Sequence, residues 1–360
     1  MRGGIVLFAK RPGVTSFSSL FSIKRALGTK KVGHTGTLDS FASGLLVVCT
    51  GSLTRIASYI TSFNKTYDAV IEFGVETDTL EYTGKIVKTA PLPKKDDVLS
   101  AIKQYTGNIL QTPPLFSALH INGERASDIA RSGRSAEMPS RPVTVFASEA
   151  EEFLFEDGRV KAVRVRFSVS KGTYIRSLAR DIGSYCKSAA HLAGLRRLSV
   201  GSFRLEDAAG FSSLAPFTIQ SVYQTISDMQ KAQSASCKAG VSEHTSHSGE
   251  DVQSEVREKM QTMTALLAAE CGFGTAHIFP EYEDDFKHGR PLFSSMFEKE
   301  ADGVCAASAV FSANDVSSGS GTCASGGEKS IAVFGKHGNF LGMISRNGEN
   351  AYSYEFVIPD

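Results

Sequence analysis

Asp39 is a solitary carboxylate. No acidic residue precedes it and the next to follow is Asp68, so it interrupts a stretch, residues 32–48, otherwise made of glycine, hydroxyl, imidazole and apolar side chains. Gly33, Gly36 and Gly44 admit backbone angles closed to other residues, which lets the loop bend tightly and another chain approach it. Two roles fit an aspartate in that setting. Its carboxylate either caps a turn or the start of a helix, or it reacts, attacking a substrate to give a transient intermediate. The unbroken apolar run at 45–49 reads as a buried strand or a helix start and holds the loop on a core.

Elements on both sides of the loop must carry whatever assists Asp39. Residues 5–8 read as a short buried strand, Pro12-Gly13 as a turn, and Thr15 or Ser16 as the cap of a helix with Leu20, Ile23 and Leu27 on one face and Gly28 at its end. Residues 53–60 read as helix. Residues 65–73 alternate with period two, putting Tyr67, Ala69, Ile71 and Phe73 on one face of a strand; on that ground alone Tyr67 is a core aromatic. A helix is expected over 96–105 and a strand over 160–170, with Val163, Val165, Phe167 and Val169 facing one way and Arg164 and Arg166 the other. A glycine turn at 171–174 then enters a helix. There Arg176 is either an exposed helix arginine or the partner that a buried carboxylate needs to stay ionised. Leu195 reads as apolar packing, and Arg196 and Arg197 as phosphate contacts or solvated charges.

Several of these stretches, in the same order, resemble the motifs of one family. Gly33 to Gly44 is similar to G-H-T-G-T-L-D-P-L-A-S-G of the bacterial tRNA pseudouridine-55 synthases, the TruB family, with Ser40 and Phe41 in place of proline and leucine. Lys65 and Tyr67 match its K-x-Y, and Lys171 to Arg176 match its K-G-T-Y-I-R. The resemblance covers roughly residues 3–210, including a K-P-x-G-x-T-S turn that begins at Lys10 with one residue inserted, a G-x-x-T-D-T segment with Glu81 where an aspartate is usual, and L-R-R-x-x-x-G-x-F at 195–203. Phe116, His120 and Ser127 depart from residues that in the family gather the RNA.

The resemblance implies an isomerase that turns the TΨC-arm uridine of tRNA into pseudouridine by flipping the base, with no cofactor and no metal. It implies that Asp39 is the nucleophile, that Arg176 pairs with it, and that Tyr67 stacks on the base and serves as a candidate base for the C5 proton. Tyr174 lines the uracil pocket, and Lys10, His34, Lys65, Leu195, Arg196 and Arg197 complete the substrate-binding set. His34 either fills the space left by the flipped base or is a turn histidine. Asp78 is a structural hydrogen-bonding residue. The implied fold is α+β, a mixed, largely antiparallel sheet flanked by helices, followed by a small β-rich domain related to the PUA type.

Composition sets the frame. The chain has 360 residues, 41% hydrophobic and 21% charged, as in globular proteins, with no apolar stretch long enough for a membrane span or a secretory signal. A cytoplasmic protein is expected. The six cysteines show no C-x-x-C pair and read as free thiols. The net charge of +1 hides an asymmetry: residues 1–70 carry 9 Lys and Arg against 2 Asp and Glu, and residues 159–204 carry 11 against 1. If these blocks meet, they offer a positive surface to a phosphate backbone; otherwise they are two solvated faces. Three regions are expected: a catalytic domain over 1–226, a low-complexity insertion or linker over 227–262, and a C-terminal domain over 263–360 with a Ser/Gly-rich tract at 312–327. A monomer acting on tRNA without an obligatory protein partner is the main reading. A tRNA-binding and remodelling protein without catalysis is the alternative, followed by a guide-RNA-dependent enzyme of the archaeal and eukaryotic kind, which would present partner-protein surfaces.

Overall fold

The computed structural model describes residues 3–117, 119–121, 123–134, 138–239, 249–298, 330–347 and 352–358. The Ser/Gly-rich tract at 312–327, Cys305 and Cys323 lie outside them, as does the side chain of Cys237; Cys49, Cys186 and Cys271 are free thiols.

The apolar run behind Asp39 is a strand. β1 (Ile5–Lys10) pairs antiparallel with β3 (Ser43–Thr50), whose residues are all buried, while the short β2 (Val32–His34) pairs with β3 on its way into the loop. Consecutive β-branched and apolar residues covered on both sides are the mark of a strand at the centre of a core. β4 (Lys65–Phe73), β5 (Gly107–Gln111), β6 (Arg141–Glu156), β7 (Arg159–Val169) and β8 (Ala190–Val200) complete the sheet in the spatial order β1-β3-β8-β4-β7-β6-β5. Every pairing along this path is antiparallel except β3 with β8, which touch in parallel only at Ser43–Arg196 and Gly44–Arg197. The sheet is therefore two halves joined at one point. Gly44, at φ 111°, makes that join possible, because a Cβ there would lie 2.3 Å from the Arg197 carbonyl oxygen. Gly33 and Gly36 adopt ordinary angles, so only one of the three glycines needs its freedom.

α1 (Ser16–Leu27) is capped by Thr15, whose hydroxyl accepts from Ser18 N, and ends on left-handed Gly28; it packs Leu20, Ile23 and Leu27 on Val6, Phe8, Leu46 and Val48. α2 (Lys95–Gln104) and α3 (Ile175–Tyr185) cover the other half, setting Val98, Ile102, Leu178 and Ile182 on Ile71, Phe73, Val163 and Val165. Residues 51–61 are helical, as expected, the first turn and a half as 3-10 helix.

The stretch read as a structureless linker is largely helical. α4 (Ile219–Ala239) rests Ile219 and Val222 on Val70, Ala162 and Ala193, and α5 (Gly249–Glu258) places Val252 and Val256 against α1. Its Ser, Gln, Lys and Glu content looks disordered by polarity, yet most of these residue types propagate a helix well once a few apolar anchors dock one face.

α6 (Ala265–Glu270) leads into a second sheet, β9 (Gly274–His277), β10 (Ser330–Phe334), β11 (Phe340–Arg346) and β12 (Tyr352–Val357), paired in that order with the first pair parallel. This β-rich part shares a core with the first: Phe334 and Met343 pack in one cluster with Ile5, Leu7, Leu45 and Val47. Among the described residues, no helix is long and apolar enough to cross a membrane.

Candidate active site

The loop around Asp39 is tied to four separate elements. Ser16, first residue of α1, donates its hydroxyl to the Leu38 carbonyl at 2.9 Å and accepts from Leu38 N at 2.8 Å. Thr61 holds the Thr35 carbonyl, Gly13 N donates to Ser40 O, and Phe41 is buried edge-on against Tyr82. Lys10 is wholly buried, with Nζ 2.6 Å from both Ala42 O and Val14 O, 3.0 Å from Arg11 O and 3.3 Å from Ser40 O. Arg197, also buried, donates to Leu45 O at 2.7 Å and to Gly36 O at 3.1 Å.

These contacts correct part of the expected substrate-binding set. Lys10 and Arg197 have next to no surface with which to meet a substrate, and Lys65, also buried, has its Nζ taken up by the Thr61 and Phe63 carbonyls. A cation buried among backbone oxygens orders the chain that supplies them. Burial pushes the Lys10 ammonium down to about 8, with the Asp39 charge opposing and Arg197 reinforcing the shift; burial, then Arg197 and Lys171, bring Lys65 to about 8. Arg196 is partly buried. It donates to Ser43 Oγ at 3.1 Å, sits over the Phe217 ring and borders a 280 Å³ cavity between β8 and α4; burial lowers its pKa to about 10.

Asp39 does not cap the loop. Its carboxylate meets Arg176: Nη2 donates to Oδ1 at 3.2 Å, and Nε stands 3.0 Å from Oδ2 as an ion-pair contact without hydrogen-bond alignment. The two side chains differ in access, 37% exposed for Asp39 and 7% for Arg176. Arg176 is further fixed by the Thr79 carbonyl on Nη1 and the Phe116 carbonyl on Nη2, both at 2.9 Å. Those carbonyls escaped the sequence reading because a backbone oxygen carries no residue signature; Phe116 matters through its peptide group and not through its ring. Glu81 also escaped it, although its place in the T-D-T segment drew notice. Its carboxyl is pushed up by burial, lowered in part by the Thr83 hydroxyl, raised by the Asp39 charge and lowered by Arg176, and its Oε2 is buried without a partner.

Leu195 belongs to the core cluster that contains Leu38 and Phe41, and Tyr67 packs against it, partly buried. Tyr174 stands at the entry to α3, its peptide bracketed by the Gln111 side chain, which accepts from Tyr174 N at 2.8 Å and donates to Tyr174 O at 3.1 Å; the Arg141 guanidinium lies 4.9 Å from its ring centre. Buried Gln111 thus sets a residue 63 positions away. His34 is half-buried at the end of β2 with Nδ1 unpartnered, and burial followed by Arg197 lowers its pKa, favouring the neutral ring. Asp78 accepts from Lys85 N at 2.8 Å, a structural role as expected. Among the described residues no group of side chains could hold a metal.

Part of the second basic block is neutralised by carboxylates within the fold. Arg164 and Arg166 pair with Asp68 and Glu151, Arg180 with Asp181 and Arg176 with Asp39. Counting charge along the chain therefore overstates the positive surface.

A family model described as TruB family pseudouridylate synthase (N terminal domain) matches residues 24–175. Proteins described as tRNA pseudouridine synthase B are similar to this chain. That of Treponema denticola is 47% identical over 229 residues, 59% of this chain and 64% of its own length. That of Treponema pallidum (strain Nichols) is 34% identical over 322 residues, 83% of this chain and 88% of its own. Among solved structures, a chain of a Cbf5-Nop10-Gar1 complex superposes with a TM-score of 0.59 at 21% identity, covering 99% of this chain and 85% of that one, a likeness of fold.

Proposed function

Since the chain belongs to the TruB family of pseudouridylate synthases, we propose that it isomerises a uridine of tRNA to pseudouridine with Asp39 as the nucleophile. The observation that carries this reading is the asymmetry of the ion pair: a buried Arg176 held by two carbonyls, and a carboxylate more than a third open to an incoming base. In the reaction the bond from ribose C1′ to uracil N1 breaks, the base turns, C1′ bonds to C5, the C5 proton leaves and N1 regains one. Nothing is oxidised or reduced, so the chemistry calls for no cofactor.

Arg176 holds the Asp39 carboxylate in place and aims it. Tyr67 stacks on the detached base and takes the C5 proton itself or through a water. Tyr174 and Leu195 close the pocket, and neutral His34 enters the gap left in the RNA. Flipping the uridine costs roughly a few kcal/mol, offset by this stacking and by phosphate contacts. The substrate position is uridine 55 of the TΨC arm, as the three motifs' resemblance implies. The protein works in the cytoplasm as a monomer on free tRNA, and residues 1–226 and 263–360 act as catalytic and accessory parts.

The test is release of tritium from unmodified tRNA labelled at uracil C5, comparing the native protein with Asp39→Asn. Release by the native protein alone, with both binding tRNA equally, supports an aspartate-dependent synthase, and mapping the product assigns the position. Release by neither, with binding intact, sinks the synthase reading in favour of tRNA remodelling.

A further inference from the structure

α1 turns one face to the core and shows solvent two aromatic rings. Phe17 and Phe21, one helical turn apart, are 62% and 58% exposed. Their centroids lie 5.7 Å apart, edge to face, and Lys24 Nζ stands 5.4 and 5.6 Å from the two ring centres. Fold stability does not account for the pair, because the apolar side of the helix is already filled by Leu20, Ile23 and Leu27.

Two observations say what this face fits. The first is charge: residues 1–38 contain no carboxylate, while Lys24, Arg25, Lys30 and Lys31 follow the rings toward β2 and His34. Neighbouring α5 carries Asp251, Glu255 and Glu258, yet among the described residues none of the four cations is ion-paired, and Glu255 is engaged by Gly210 N and Lys259. A protein partner would bury these cations unpaired at a cost, whereas a strand of nucleic acid offers both flat π faces and phosphates. The second is continuity. Ser16, adjacent to Phe17, is the residue whose hydroxyl holds Leu38 beside Asp39, so the platform shares an anchor with the candidate active site.

We propose that the outer face of α1 is a second tRNA contact, on which Phe17 and Phe21 stack with an unpaired base while Lys24, Arg25, Lys30 and Lys31 take the adjoining phosphates. The proposal rests on the synthase reading above and extends it to a site outside the uracil pocket. Both rings are exposed, so the fold tolerates their loss.

The double variant Phe17→Ala/Phe21→Ala is expected to raise KM for tRNA about tenfold at unchanged kcat in the tritium-release assay. The chain has no tryptophan, so Phe21→Trp supplies a single indole that can be excited selectively over the tyrosines. That variant is expected to lose tryptophan emission when tRNA binds. An unchanged KM in the double variant, or tryptophan emission indifferent to saturating tRNA, overturns the proposal. A native dimer that the double variant converts to monomer, with KM unchanged, overturns it in favour of an interface between copies. A native protein that binds tRNA but releases no tritium rejects the synthase reading instead, and tryptophan quenching by tRNA then still decides whether the platform exists.

Discussion

Asp39 and Asp68 are both held by arginine, in opposite ways. Asp68, on β4, is 6% exposed; Arg166 Nε donates to one of its oxygens at 2.9 Å and Arg164 Nη1 to the other at 3.3 Å, and Glu151 and Glu152 pair with the same two arginines. The network is closed, and Glu152 also accepts the first N–H of α4. At Asp39 the arginine is the buried member, fixed by peptide oxygens, and the carboxylate is the exposed one. The same pair of groups encloses the acid at one site and leaves it accessible at the other, and the proposed reaction uses the accessible one. Pairing with arginine therefore does not by itself mark an active carboxylate; what its oxygens still face does.

The contrast breaks most easily at Asp39. Asp39→Asn is expected to lower tritium release at least about a thousandfold while leaving the urea midpoint unchanged. If Asp68→Asn cost as much turnover, the distinction between the two sites would fall. Next in size, Arg176→Lys removes the fork that spans Asp39 and two carbonyls, and about a hundredfold loss of kcat is expected with little change in KM. Asp68→Asn is expected to act on stability instead: about 3 kcal/mol in urea unfolding, because two arginines lose their central acceptor, with kcat intact.

The smallest effect sharpens the comparison through pH. Lys65 titrates near 8 in the folded chain and near 10.5 when unfolded, so between those values the unfolded state binds more protons. Stability contributed by this group rises with pH across that window and is flat below it. Lys65→Met is expected to remove that rise, read as the difference in urea midpoint between pH 8 and pH 10 for native and variant protein. A slope identical in both would show that the ammonium is not held at a lowered pKa.

Much of this arrangement was legible in the residues. Period-two alternation placed β4 and β7, and the two motifs that meet as Asp39 and Arg176 were recognisable 137 positions apart. What could not be read was where long side chains end. Lys10 and Arg197 look like surface cations in any count, yet their tips reach loop carbonyls that only the pairing of β3 with β1 and its join to β8 bring near. Helices α4 and α5 were missed because their polarity suggested disorder, while their sparse apolar residues become informative only against Ala193 or α1. The domain border was drawn from composition, which is blind to a cluster that both parts build.

That shared cluster has a consequence for the order of synthesis. Ile5 and Leu7 on β1 are covered by Phe334 and Met343, and Arg55 reaches the Val357 carbonyl 302 positions later. During translation the strand that emerges among the first must wait for the second sheet, roughly tens of seconds at ordinary elongation rates. Until then one face of β1 and β3 is an open apolar surface on a nascent chain. The chain therefore has a high contact order at its seam, and a ribosome stalled before residue 330 would present that surface to chaperones.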